Sequence, residues 1–162
     1  MKSFLKLLVL IISFTPVMAI AGIVETKYVT LLNSNFNNGT AEGWTLGQGW
    51  SVTQSGNNGS LYGTVHSNAQ PVVADLWSDF EVTLRFKIEA GGFHFNVRHN
   101  PGSVFRRYFL GVSKNGWCYF NKQIGDTFFN NLLSWNTSEL NDWHALKVTT
   151  AGNQIKISGL SG

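Results

Sequence analysis

The chain has a single cysteine, Cys118, in 162 residues, so no internal disulfide can form and no cysteine-rich metal site can be built. Its fold has to be held by an apolar core. No basic run is longer than Arg106-Arg107, whereas a surface that neutralises a line of phosphates needs several such groups. Nucleic acid is therefore not an expected partner, despite a formal net charge of +3. The four histidines, His66, His94, His99 and His144, are scattered, and neither a His-Glu-x-x-His nor a Cys-x-x-Cys spacing occurs. No metal ligand set is expected from them. After residue 21 no segment approaches the ~20 apolar residues that cross a bilayer as a helix, so no membrane span is expected beyond that point.

What is present begins with an export signal. Met1-Lys2-Ser3-Phe4-Leu5-Lys6 is a short basic region, Leu7 to Phe14 is apolar, and Ala19-Ile20-Ala21 is a small-x-small cleavage site before Gly22. Ser13, Thr15 and Pro16 interrupt the apolar run too early for a permanent anchor. Residues 1–21 are expected to leave, and the product to be secreted, extracellular or periplasmic. Lys2 and Lys6 leave with them, so ten Lys and Arg remain against nine Asp and Glu. The remaining 141 residues suit one domain of ordinary size, residues 22–162.

The composition of that domain, rich in Phe, Trp, Val, Ile and Thr with Gly and Asn for turns, favours strands. From 79 to 89, Phe80, Val82, Leu84, Phe86 and Ile88 alternate with polar residues, the pattern of a strand with one wet face. Shorter alternating runs lie at 27–32, 50–54, 61–65, 93–99, 107–112, 117–122, 143–149 and 154–158. Asn38-Gly39, Asn57-Asn58-Gly59, Gly91-Gly92, Asn100-Pro101-Gly102, Lys114-Asn115-Gly116 and Ala151-Gly152-Asn153 punctuate them as turns. The pattern predicts an all-β, antiparallel two-sheet sandwich or jelly roll.

The stretch Asn33-Ser34-Asn35-Phe36-Asn37-Asn38-Gly39-Thr40-Ala41-Glu42-Gly43-Trp44, then Trp50-Ser51-Val52, Asp79-Phe80-Glu81-Val82, Trp143-His144-Ala145-Leu146-Lys147-Val148 and Gly152-Asn153-Gln154-Ile155-Lys156-Ile157, resembles the concanavalin A-like lectin/glucanase superfamily. Within it the chain looks most like laminin-G-like modules and domains related to 3-keto-glycoside hydrolases. The resemblance implies a jelly roll of two curved sheets that handles carbohydrate or cell-surface glycan. It also implies a further turn and strand after the Gly-Asn-x-Ile-x-Ile strand, so the chain is expected to be C-terminally incomplete, with Gly159-Leu160-Ser161-Gly162 a turn leading nowhere. Such an open edge makes a domain less stable and more prone to self-association.

A retaining glycosidase needs two carboxylates ~5 to 5.5 Å apart. Laminarinase-type members of the resembled superfamily supply them from Glu-x-Asp-x-x-Glu, which is missing here, as are the acidic residues that their 3-keto relatives carry after a mid-strand Tyr, since Tyr108 is followed by Phe109-Leu110-Gly111. No catalytic residue is expected. Asp79 and Glu81 share a strand face with Arg85 and Lys87 and read as solvated. Related sandwiches hold a structural calcium near the first strand, for which this chain offers Asn35, Asn37, Thr40 and Glu42; with one carboxylate among them, no cofactor is expected. Binding remains. With Phe93, Phe95 and Val97 inward, His94, Asn96 and Arg98 line the opposite face of their strand. Arg107 or Phe109 and Trp117 or Tyr119 can join them from neighbouring strands, giving planar hydrogen-bonding groups and a ring to stack on a pyranose. Trp44, Trp50, Trp77 and Trp143 read as core or packing residues. The function expected is a lectin-like, non-catalytic module, with a structural or adhesive surface domain next and a glycoside-processing enzyme last.

The first of these expectations to test is processing. Mass spectrometry of the exported product is expected to give an N-terminus at Gly22; an intact Met1 would overturn the leader assignment.

Overall fold

The computed structural model of the chain describes residues 3–9, 27–64, 66–72 and 79–160. Everything regular among them is strand. The thirteen are β1 (Ser3–Val9), β2 (Lys27–Ser34), β3 (Trp44–Leu46), β4 (Trp50–Ser55), β5 (Asn58–Gly63), β6 (Ala69–Pro71), β7 (Phe80–Phe86), β8 (Gly92–Asn100), β9 (Arg106–Ser113), β10 (Trp117–Ile124), β11 (Thr127–Asn136), β12 (His144–Ala151) and β13 (Gln154–Ser158). The protein is all-β, with several antiparallel sheets. No helix among the described residues is long and apolar enough to cross a membrane.

Two compact units divide the chain, residues 1–84 with 148–156, and residues 85–147 with 157–162. The first holds the hairpin of β4 and β5 and the pair of β3 with β6; the strand order of the five-stranded sheet is β13-β12-β7-β1-β2. β1 pairs antiparallel with both β2 and β7, so seven of the residues that the sequence assigns to a leader are drawn as a strand between two others. The cleavage site, Trp77 and Val65 lie outside the described residues. Phe80, Val82 and Val148 are buried, as alternation requires, and Phe80 N donates to the Oγ1 of buried Thr150 (3.0 Å). The expected strand at 61–65 instead spans Asn58–Gly63, because the turn is made by Gly56 and Asn57 and Asn58 already pairs with Ser55.

The second unit holds a four-stranded meander, β8-β9-β10-β11 in spatial sequence. Chemistry of the turns sets it. Gly116, at φ 84°, closes β9 to β10 with its N–H on the Ser113 carbonyl (3.0 Å). Gly125-Asp126 joins β10 to β11 as a two-residue loop, Ile124 opposite Thr127, with Gly125 at φ 54°. One face of the meander is apolar: Val97, Leu110, Val112 and Cys118 are all at most 1% exposed. Burial also raises the Cys118 thiol pKa, so it behaves as a small hydrophobe. In the same unit Leu140 and Leu146 are fully buried, and Phe86 meets Phe93 edge-on at 5.0 Å. After β13, Leu160 is 7% exposed and its carbonyl accepts the Trp135 indole N–H at 3.1 Å.

β10 and β11 slip register between Phe120 and Lys122, and a buried side chain holds the slip. Asn121 accepts the Asn131 N–H at 2.6 Å and donates to Asn130 Oδ1 at 3.1 Å, which keeps Asn131 at φ 53°. Asn121→Ala leaves that N–H without its partner, and chemical denaturation is expected to give about 1–3 kcal/mol less stability. A loss below a few tenths would mean that water takes over the role of Asn121.

Candidate ligand-binding face of the four-stranded sheet

Period two sends Arg107, Phe109 and Gly111 of β9 away from the apolar side, with His94 and Asn96 of β8 and Trp117, Tyr119 and Gln123 of β10 beside them. Register then builds rows across the strands. His94 lies opposite Gly111, and Gly111 opposite Tyr119. Gly111 has no side chain, and a Cβ there would collide with the Tyr119 ring. The ring can therefore lie across β9 and bring its hydroxyl to His94 Nε2, at 2.8 Å.

The next row centres on Arg107. Its Nε donates to Gln123 Oε1 and its Nη1 to Asn96 Oδ1, both at 2.9 Å, so one guanidinium clamps three strands. The same group sits 4.4 Å from the Phe109 ring centroid and 5.4 Å from that of Phe105. Desolvation lowers its pKa, and Tyr119 opposes that shift. Two of its five N–H donors are spent in these bonds, which leaves donors fixed in direction for a ligand.

Phe109 is 2% exposed although it leaves the sheet on the polar side. His94 (4.8 Å), Tyr119 (6.3 Å) and Arg107 cover it. Beyond Tyr119, at 6.4 Å and 35°, stands Trp117, 37% exposed. A recess of about 370 Å³ adjoins Trp117, lined also by Gly91, Ser113, Lys114, Asn115 and Glu139. Another of about 510 Å³ lies at the opposite end of β10, lined by Ser103, Val104, Phe105, Arg107, Gln123, Gly125 and Asp126.

Of the six residues that the sequence proposes as ligand-binding, the structure gathers five: His94, Asn96, Arg107, Trp117 and Tyr119. Arg98 sits at the register shift between Val97 and Asn100 with φ 52°, where it and His99 together stand opposite Arg107 of β9. Gln123, Phe105 and Gly111 were not singled out. Gln123 was within reach of the sequence, because it continues the odd-numbered face of Trp117 and Tyr119; Phe105 stands outside any strand and carries no periodic signal.

Other candidates fall elsewhere. In the proposed calcium loop, the Asn35 and Asn37 side-chain oxygens accept the backbone N–H groups of Asn37 and Gly59, and Asn38 that of Thr40. Among the described residues no group of three His, Cys, Asp or Glu is placed to hold a metal. Asp79 lies just before β7, its carboxylate accepting the Gly152 N–H at 3.0 Å. Trp44 and Trp50 pack as expected, the first through Nε1 to Ser34 Oγ (2.9 Å), the second over Gly63. Trp143 does not: it is 41% exposed, with Arg85 5.8 Å from its ring.

Gly111→Ala is expected to drive Tyr119 off His94 at a cost of about 1–3 kcal/mol, as an overpacked site does. Thermal melting gives the cost, and loss of the His94 Nε2 hydrogen bond is read from imidazole nitrogen NMR shifts. An unchanged His94 resonance would show that the ring does not depend on the empty position. Compared with protein-family models, with curated proteins and with solved structures, the chain finds no match, so the reading of this face rests on its own chemistry.

Proposed function

We propose that the chain is an exported, non-catalytic carbohydrate-binding module on a jelly-roll sandwich of the concanavalin A-like kind, and that the face of β8, β9 and β10 takes the sugar. One observation carries this: an exposed indole, Trp117, continues into a row of rigidly held polar groups, His94 with Tyr119 and Arg107 with Asn96 and Gln123. A pyranose offers an apolar face that stacks on a ring and equatorial hydroxyls that meet planar donors and acceptors. Holding those groups before the ligand arrives reduces the ordering cost of binding.

The carboxylates that line the two recesses, Glu139 and Asp126, do not read as a hydrolytic pair. Their recesses adjoin Trp117 and Gln123, six residues apart along β10 and so ~20 Å at the usual strand rise. Acid and nucleophile in glycosidases stand within ~10 Å of each other.

A structural or adhesive domain is the second reading. It is favoured by the internal pairing of His94 with Tyr119 and of Asn96 with Arg107, which satisfies these groups without a ligand. A glycan array followed by calorimetry separates the two. The lectin reading expects a glycan ligand, and Trp117→Ala to weaken it about tenfold, the loss of one stacked ring. Incubation with that glycan is expected to release no new reducing ends. A stably folded chain that retains no glycan sinks the reading and favours the scaffold.

A further inference from the structure

We propose that β11 is a homodimer edge, along which two copies of this chain pair antiparallel about a two-fold axis and join their four-stranded sheets into one of eight strands. β11 is the outermost strand of its sheet, and among the described residues no strand lies on its other side. Edge strands ordinarily discourage a neighbour with charge or proline. β11, Thr-Phe-Phe-Asn-Asn-Leu-Leu-Ser-Trp-Asn, has neither. Its bulge is drawn inward, since the Asn131 N–H and the Asn130 side chain are both bound to Asn121 of β10.

Four large apolar side chains of β11 stand about half exposed: Phe128 49%, Phe129 44%, Leu132 53% and Leu133 56%. Their order makes the strand complementary to itself. Phe129 lies opposite Lys122 and Leu133 opposite Phe120, two residues of one β10 face, while Phe128 lies opposite Gln123 of the other. Leu132 takes the face opposite to that of its neighbour Leu133, which is the face of Phe128. Each face thus carries a Phe and a Leu four residues apart. Two copies paired about Asn130 set Phe128 against the partner's Leu132, twice. Paired about Asn131, they set Phe129 against the partner's Leu133, again twice. Aromatic–aliphatic pairs directly across an antiparallel ladder stabilise it. A neutral strand meets no repulsion from its own copy and has no charge with which to select a different, charged partner.

The test is sedimentation velocity of the full chain, as its expressing cell processes it, across micromolar to submillimolar concentrations. A monomer–dimer equilibrium is expected, weakened about tenfold or more by Leu132→Lys or Leu133→Lys, since charge on an edge blocks pairing. Both side chains are exposed, so the thermal melt at low concentration should hold. Register is read by oxidative cross-linking: Phe128→Cys with Leu132→Cys reports the pairing about Asn130, and Phe129→Cys with Leu133→Cys that about Asn131. A covalent dimer from one of the pairs supports the proposal. A wild-type chain that stays monomeric, a dimer indifferent to both lysines, or a dimer that neither cysteine pair links each overturns it. Lysine variants that lose their fold leave the decision to the cross-links.

Discussion

Phe109 is a buried ring on the polar side of a sheet, and the arrangement of that side follows from covering it. Alternation along β9 sends it out with Arg107 and Gly111, and an exposed phenylalanine there would lose much of the stabilisation that burial brings, roughly 1.5–3 kcal/mol. His94, Tyr119 and Arg107 close over it instead, at 4.8, 6.3 and 4.4 Å. Each brings an apolar flank to the ring and directs its polar atoms sideways: His94 to Tyr119, Arg107 to Asn96 and Gln123. The polar groups are ordered because a small apolar core lies under them. Removing the ring would free their positions without touching one of their hydrogen bonds directly.

This also explains how much of the site could be read from sequence. Alternation is a local signal, and it placed His94, Asn96, Arg107, Trp117 and Tyr119 on one face because β8, β9 and β10 keep period two through those residues. It does not foresee the bulge at Arg98, where the chain takes a left-handed turn and register shifts before Asn100; nothing in Val97-Arg98-His99 announces that, since arginine rarely adopts such a φ. It was silent about β11, whose paired Phe-Phe and Leu-Leu residues match neither the period of a half-buried strand nor the turn residues that would mark a loop. A strand exposed on both faces lacks the contrast that pattern reading uses. β1 is read differently for another reason: a basic, apolar N-terminus has the composition both of an export signal and of an apolar strand, and composition alone does not separate them. The sandwich arrangement drawn from the resemblance stays a proposal, whereas the antiparallel all-β class stands in the sheets themselves.

Face and edge are separable in their physics. Side chains of the proposed binding face stand perpendicular to the sheet, while a strand added to β11 bonds within its plane. Pairing along β11 therefore consumes none of His94, Asn96, Arg107 or Tyr119, which lie one to three strands inward. A two-fold axis in such a ladder is normal to the sheet, so both copies of the face would open to the same side. For a ligand repeated along a surface, that geometry matters more than the affinity of either face alone. A second binding event becomes intramolecular and can raise avidity by about 10²–10⁴ with no new contact. A single face built on one exposed ring and one guanidinium would bind a sugar weakly. Two of them on one rigid eight-stranded sheet would hold a glycan-covered surface, and the uncharged edge that a solitary domain would find costly is what makes the pair.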